Sequence, residues 1–285
     1  MTTEANQEQI RYWNEQGGPR WVVLQEKLDA QIGPLGLVAL QRANIKPGEQ
    51  VLDVGCGCGQ TSLDLAGRVS PNGAVLGIDI SQPMLNRARE RQQELSVTNL
   101  EFLNADAQTY QFARERFDLV FSRFGIMFFE NPTAAFQNLR TALRPQGRLC
   151  FLCWQALDKN DWARVPLNAA LQHVSPPAPA APGTPGPFAF ADPERVQQIL
   201  QTAGFTAVQC ESYQAELSMG GATTLDEAVE FTLEIGPVAR LLGDTDTATR
   251  ARVAHSIREA LTPYASSDGA RLPGAAWIVR AQCNG

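Results

Sequence analysis

The stretch Val51-Leu52-Asp53-Val54-Gly55-Cys56-Gly57-Cys58-Gly59-Gln60-Thr61 decides the fold. It opens on an apolar run, Val51, Leu52 and Val54, of the kind that forms a buried strand. Three glycines follow at alternate positions, and helical character begins after them. Without a Cβ, the backbone can turn sharply and lie close to a ligand. Strand, glycine turn and helix start together make the nucleotide cradle of an α/β sheet.

Around this stretch, strand and helix alternate. Ahead of it, residues 4–45 read as helical, broken at Gly17-Gly18-Pro19 and at Gly33-Pro34, with Trp21, Leu24, Leu28 and Ile32 on one face. Pro47-Gly48 turns the chain into a strand at 50–54. Leu63, Ala66 and Val69 mark a crossover helix, and Ala74 to Ile80 a second strand. Ser81 is placed to cap the next helix, whose Leu85, Ala88 and Leu95 face inward. Strands are expected at 100–103 and 117–121. Asn131-Pro132 opens a helix with Phe136, Leu139 and Leu143 buried; Arg144-Pro145-Gln146-Gly147 ends it, and Arg148 to Trp154 is a fifth strand.

Beyond 155 the pattern loosens. A short helix is expected near 160–172. Pro176, Pro177, Pro179, Pro182, Pro185 and Pro187 then give an extended segment, either a surface linker or a lid. Asp192-Pro193 begins a helix, Phe205 to Leu217 is a sixth strand, and Thr224-x-x-Glu227 is a capping box for a helix near 225–235. Val253, Ile257 and Leu261 mark another helix, and Ala276 to Ala281 a last strand. This succession predicts an α/β fold: a mostly parallel sheet with helices on both faces.

The 285 residues carry 44% hydrophobic and 19% charged side chains, enough for a substantial core. A net charge of −6 and the absence of a Lys/Arg cluster argue against a nucleic-acid partner. No apolar run is long enough for a membrane span, and no basic-then-apolar leader stands at Met1 to Gln9. Six cysteines, several in strand-like runs, read as reduced thiols of a cytoplasmic protein. Cys56, Cys58, Cys150 and Cys153 could be offered as a metal set, but residues three apart in a strand point to opposite faces. No metal is expected.

A parallel sheet binds its ligand at the C-terminal ends of its strands. Three acids stand there: Asp53, Asp79 and Asp106, the last within Asn104-Ala105-Asp106-Ala107. A carboxylate at the end of strand two can accept hydrogen bonds from both ribose hydroxyls, in NAD and S-adenosyl ligands alike. The glycines discriminate. The dinucleotide fingerprint needs a third glycine where this chain has Gln60. Asp53 puts negative charge beside the turn, unhelpful for a pyrophosphate and suited to an ammonium group.

Val51 to Thr61, Gly77-Ile78-Asp79-Ile80-Ser81, Asn104-Ala105-Asp106-Ala107 and Phe117-Asp118-Leu119-Val120-Phe121-Ser122 together resemble the class I S-adenosylmethionine-dependent methyltransferases. Their ubiquinone/menaquinone-biosynthesis-like, small-molecule branch is the nearest likeness. The resemblance covers about 45–155 strongly and fades through the later strands. It implies a Rossmann-like sheet of seven strands, the last antiparallel between strands five and six. It implies S-adenosyl-L-methionine as cofactor, with Asp53, Gly55, Cys56, Gly57, Gly59 and Thr61 around the methionine portion. Asp79 and Ile80 would hold the ribose, Met84 would pack on adenine, and Asp106-Ala107 would read it, with Ser122 and Trp13 completing the site. Cys58 stands where the family more often has Thr or Ser, on a solvent or ligand edge. Ser122-Arg123-Phe124-Gly125 is not Asn/Asp-Pro-Pro-Tyr/Phe, which argues against methylation of nucleobase amines or of a protein glutamine.

The expected division is an N-terminal helical lid (1–45), an S-adenosylmethionine-binding core (46–155) and a proline-rich linker or lid (156–190). The C-terminal part of the core (191–285) then carries a helical cap insertion at about 222–265. The catalytic residue is not identified. Tyr12 and Trp13 suit a hinged lid or a packed core, and Arg123 a substrate acid or solvent. Phe124, Met127, Phe128 and Phe129 suit an aromatic or lipid-like pocket, or the underside of the helix after Pro132. His173 and His255 are possible general bases or ordinary helical histidines. The expected activity is methyl transfer to an O, N or C atom of a small molecule, by a monomer or homodimer. An NAD(P)-dependent oxidoreductase and a non-catalytic S-adenosylmethionine-binding protein are the alternatives.

Overall fold

The computed structural model describes residues 6–176, 181, 183–243, 245–267 and 269–284. Pro177, Ala178, Pro179 and Pro182 of the proline segment lie outside the described residues. Three helices lead, α1 (Gln7–Glu15), α2 (Gly17–Val23) and α3 (Gln25–Arg42). The alternating core follows: β1 (Gln50–Val54), α4 (Gln60–Val69), β2 (Ala74–Asp79), α5 (Gln82–Glu94), β3 (Leu100–Asn104), β4 (Phe117–Arg123), α6 (Pro132–Ala142) and β5 (Leu143–Trp154). Then come α7 (Asp161–Ala170), α8 (Pro193–Thr202), β6 (Phe205–Ser218), α9 (Leu225–Glu234), α10 (Gly236–Leu242) and α11 (Thr247–Leu261). Last are β7 (Ala265–Ser266) and β8 (Gly269–Cys283).

The main sheet runs β3-β2-β1-β4-β5-β8-β6. β1 to β5 pair in parallel, and β8 lies antiparallel between β5 and β6, the arrangement that the family resemblance implies. The two-residue β7 only extends a hairpin onto β8. Chain order reverses between β1 and β4, so the crevice at their C-terminal ends is where such a sheet takes a ligand. Val51, Leu52, Leu119, Val120 and Phe121 are buried without remainder. Strands covered on both faces need such unbroken apolar runs. Phe136 stacks on Phe151 with centroids 5.6 Å apart, below α6. A second apolar cluster, including Met219, Val229, Val253, Ile257, Leu261 and Leu272, joins the cap helices to the start of β8.

Local signals account for many element ends. The Asn131 side chain accepts the Ala134 N–H at 3.0 Å, and Asp192 accepts that of Glu194 at 2.9 Å. Thr224 caps α9, while Glu227 reaches back to the Thr223 N–H at 2.8 Å, one residue beyond the usual box. Four expectations need correction. Helix α3 runs straight through Gly33-Pro34, because Leu28, Ile32, Leu35, Ala39 and Leu40 all bury on its inner face; packing outweighs the one backbone hydrogen bond that Pro34 forfeits. Leu95 is exposed, since α5 ends before it. Helix α6 stops at Ala142, so Leu143 is buried as the first residue of β5. The last strand starts seven residues earlier than its apolar run, at Gly269, because pairing with β6 carries it through Leu272, Pro273 and Gly274.

Candidate active site

The site is built on β1. Asp53, next to last in that strand, is fully enclosed. The Ser62 hydroxyl from α4 donates to its Oδ2 at 2.6 Å, while its Oδ1 has no partner. Burial pushes its carboxyl up to about 7; the Ser62 bond and the Arg123 charge oppose this, and Asp79 and Asp64 add to it. A buried carboxylate oxygen without a donor is costly unless something fills its coordination.

The turn after Asp53 lies against other backbone and side chains. Gly55 has φ +66°, and a Cβ there would fall 2.6 Å from the Gly125 Cα. Gly57 has φ +55°, and its Cβ would meet the Met84 Cε at 2.7 Å. Met84 is thus buried against the turn itself. Cys56 and Cys58 are buried as well, so Cys58 is not on a solvent edge. Burial pushes the Cys58 thiol up to about 12 and the Cys56 thiol well above its usual range, so both stay protonated. Thr61 is buried in the first turn of α4, whose leading N–H groups have no intrahelical partner. The Ser122 hydroxyl donates to the Val54 carbonyl at 2.6 Å, tying β4 to β1.

At the end of β2, Asp79 accepts the Gly57 N–H on Oδ2 and the Ser81 N–H on Oδ1, both at 2.8 Å. Each oxygen keeps a lone pair for a further donor. Asp106, beyond β3, accepts the Gln108 N–H at 2.8 Å and the Asn6 side-chain amide at 2.9 Å; Ala107 beside it is buried. The three acids are therefore at neighbouring strand ends around the crevice.

The N-terminal helices close over this edge. Asn6 and Glu130 exchange hydrogen bonds at 2.7 Å, each backbone N–H to the other's side chain. The Asn14 amide donates to the Ile80 carbonyl at 2.9 Å and its Oδ1 accepts the Gln82 N–H at 3.0 Å. Asn14 thus supplies the cap of α5 expected from Ser81. The Ser81 hydroxyl donates instead to the Trp13 carbonyl at 2.7 Å. The Trp13 ring meets Phe128 and Tyr12 edge to face, at 5.1 and 5.3 Å, and the Arg240 guanidinium of α10 lies 5.4 Å over Tyr12. Phe129 packs on Phe136 below α6, while Phe124 stacks on Trp154 at 4.2 Å and Trp154 meets Trp162 at 4.9 Å.

The remaining candidates have other partners. Arg123 pairs with Asp29 of α3 at 2.8 Å. The His173 Nε2 lies 2.8 Å from the Ser256 hydroxyl, within the cap. His255 is 71% exposed on α11, beside Glu259 at 3.4 Å. Among the described residues, neither histidine has a hydrogen bond or ion pair with the elements that carry the acids. The Cys150 thiol meets the Ala39 carbonyl and the Cys153 thiol that of Phe190, both at 3.7 Å, so they face opposite sides of the sheet. Asn6, Asp29, Arg91 and Glu130 escaped the sequence reading, while Asn14 lay in the lid-like run Tyr12-Trp13-Asn14 with no separate role expected of its side chain.

Sheet order, glycine turn and strand-end acids define a Rossmann-like nucleoside-binding protein of the methyltransferase type. A family model described as a methyltransferase domain matches residues 45–204. The chain belongs to the class I S-adenosylmethionine-dependent methyltransferases, whose methyl-donating cofactor is S-adenosylmethionine. It is similar to the nocamycin O-methyltransferase of Saccharothrix syringae, 29% identical over 67% of this chain and 71% of the relative. It is also similar to the aklanonic acid methyltransferase of Streptomyces sp. strain C5, 32% identical over 41% of this chain and 54% of the relative. Several curated relatives are matched over less than half of their own length. Phosphoethanolamine N-methyltransferase 2 of Haemonchus contortus, solved with phosphomonomethylethanolamine and S-adenosylhomocysteine, shares the fold. Its TM-score is 0.54 at 18% identity, over 88% of this chain and 53% of that one. Among the described residues, no helix is long and apolar enough to cross a membrane.

Proposed function

We propose that this protein methylates a small-molecule acceptor, using S-adenosylmethionine bound at the glycine turn. The observation that carries it is the enclosed Asp53 carboxylate, with one oxygen lacking a donor, at the turn where β1 meets α4. A cationic amino group would satisfy that oxygen, and the free N–H groups at the start of α4 suit a carboxylate. Both groups belong to the amino-acid end of the cofactor. Asp79 would hold the ribose hydroxyls, Asp106 with Ala107 the adenine, and Ile80, Met84 and Trp13 the walls. Bound there, the cofactor supplies a methyl carbon activated by a positively charged sulfur.

The chain's own work is placement. Holding the acceptor atom in line and excluding water supplies much of the rate. The N-terminal helices, tied down by Asn6, Asn14 and Trp13, provide that cover. Phe124, Trp154 and Trp162 form an aromatic run from the end of β4 towards the cap. Such an aromatic run favours a planar or apolar acceptor. The test is incubation with methyl-labelled S-adenosylmethionine and metabolite extracts, followed by separation of labelled products. A labelled small molecule supports the proposal; retained cofactor binding with no labelled product from any extract would make the protein a ligand sensor.

A further inference from the structure

Asp29, in α3, sits between two arginines that approach from different elements. Arg123, the last residue of β4, donates from Nη2 to the Asp29 Oδ1 at 2.8 Å. Arg91, from α5, has Nη1 at 3.5 Å from the Asp29 Oδ2 and donates from the same nitrogen to the Cys58 carbonyl at 3.0 Å. Its Nη2 donates to the Gln60 side chain. The Gln25 amide adds a bond to the Asp29 Oδ2 at 2.5 Å. Both arginine side chains are 12% exposed and that of Asp29 is 18% exposed, so solvent screens the cluster poorly. Space for it is set by Gly36, where a Cβ would fall 2.9 Å from the Arg123 Cδ.

The Cys58 carbonyl belongs to the Cys58–Gly59 peptide of the turn, so whatever holds it orients the turn. A guanidinium can reach that carbonyl, Gln60 and Asp29 together because its donors form a fixed planar fork. A lysine offers only a point charge. The cluster therefore couples the N-terminal helix to the glycine turn and to the end of β4.

We propose that Asp29 is a positioning residue: through Arg91 it fixes the Cys58–Gly59 peptide of the turn, and through Arg123 it locks that turn to β4. The inference rests on the proposed placement of the cofactor's amino-acid end in the turn. Its consequence is selective. Binding of the amino-acid end depends on Asp29, while binding of the nucleoside, assigned to Asp79 and Asp106, does not.

The test is calorimetric titration of the full-length parent, Asp29→Asn and Arg91→Lys with S-adenosylhomocysteine and with 5′-methylthioadenosine, which keeps the thioether nucleoside but lacks the amino acid. Asp29→Asn should weaken S-adenosylhomocysteine about tenfold and 5′-methylthioadenosine less than about twofold, as expected for a charged hydrogen-bond cluster acting at one end of the ligand. Arg91→Lys should give the same split, and it decides the matter if Asp29→Asn fails to fold. Equal weakening of both ligands, or an unchanged affinity for S-adenosylhomocysteine, overturns the proposal. A parent that binds neither ligand overturns the proposed function as well.

Discussion

Asp53 is the residue whose environment most constrains the chemistry. Its carboxyl moves from an ordinary value of 3.8 to about 7 because the fold removes it from water. Between these values the folded state holds a proton that the unfolded chain has lost. Stability therefore falls as pH rises from about 4 to about 7, and this contribution is flat above. Asp53→Asn removes the slope. At pH 8 the ligand-free variant should exceed the parent in stability by on the order of 2–4 kcal/mol, with little difference at pH 4. Denaturant unfolding of both proteins at several pH values checks this; parallel pH profiles would contradict it. The same substitution should weaken S-adenosylhomocysteine binding, because the amide cannot match a cation. Stability and ligand affinity thus oppose each other at this residue. Asp53, Asp79 and Asp106 were legible in the sequence because each stands beside a strand end that its own neighbours announce. Asp29 and Arg91 were not: 62 residues separate them, and no local pattern marks either.

Among the elements, α3 and the N-terminal pair behave differently from their local sequence. Gly33-Pro34 reads as a break, yet α3 continues because its inner face is buried along its length. Local propensity is a weak prior beside such packing. The docking of the N-terminal helices depends on long-range polar contacts instead, with Asn6 and Glu130 separated by 124 positions and Asn14 and Ile80 by 66. Periodicity foretells helices here without telling where they dock. Asn14 carries two duties, capping α5 and binding the Ile80 carbonyl. Asn14→Ala should cost about 1 kcal/mol, the usual value of a lost cap. It should also speed proteolytic cleavage near Gln16, between α1 and α2, several-fold. Cleavage at the parental rate would show that Asn14 does not hold α1 in place.

For the whole molecule, the β-α alternation made the sheet readable, because parallel strands joined by right-handed crossovers leave few alternatives. The last strand between β5 and β6 followed from the family resemblance, since nothing in its composition sets its direction. The cap was harder. Helix α10, bounded by Gly236-Pro237 and Gly243, is only seven residues long, and α7 contains Pro166; both are held by the apolar cluster they share with α9 and α11. Fold and cofactor class therefore rest on short-range pattern, while the docking of the N-terminal helices and of α7, α9, α10 and α11 rests on long-range packing.

The central claim is that the glycine turn and its acids take an S-adenosyl nucleoside. Calorimetric titration of the parent and of Asp79→Ala with S-adenosylhomocysteine and with NAD tests it most directly. The parent should bind S-adenosylhomocysteine at one site and not NAD, and Asp79→Ala should lose about 2–3 kcal/mol of that affinity, as for hydrogen bonds to a charged acceptor. Binding of NAD alone, or an Asp79→Ala variant that binds S-adenosylhomocysteine like the parent, would contradict the account.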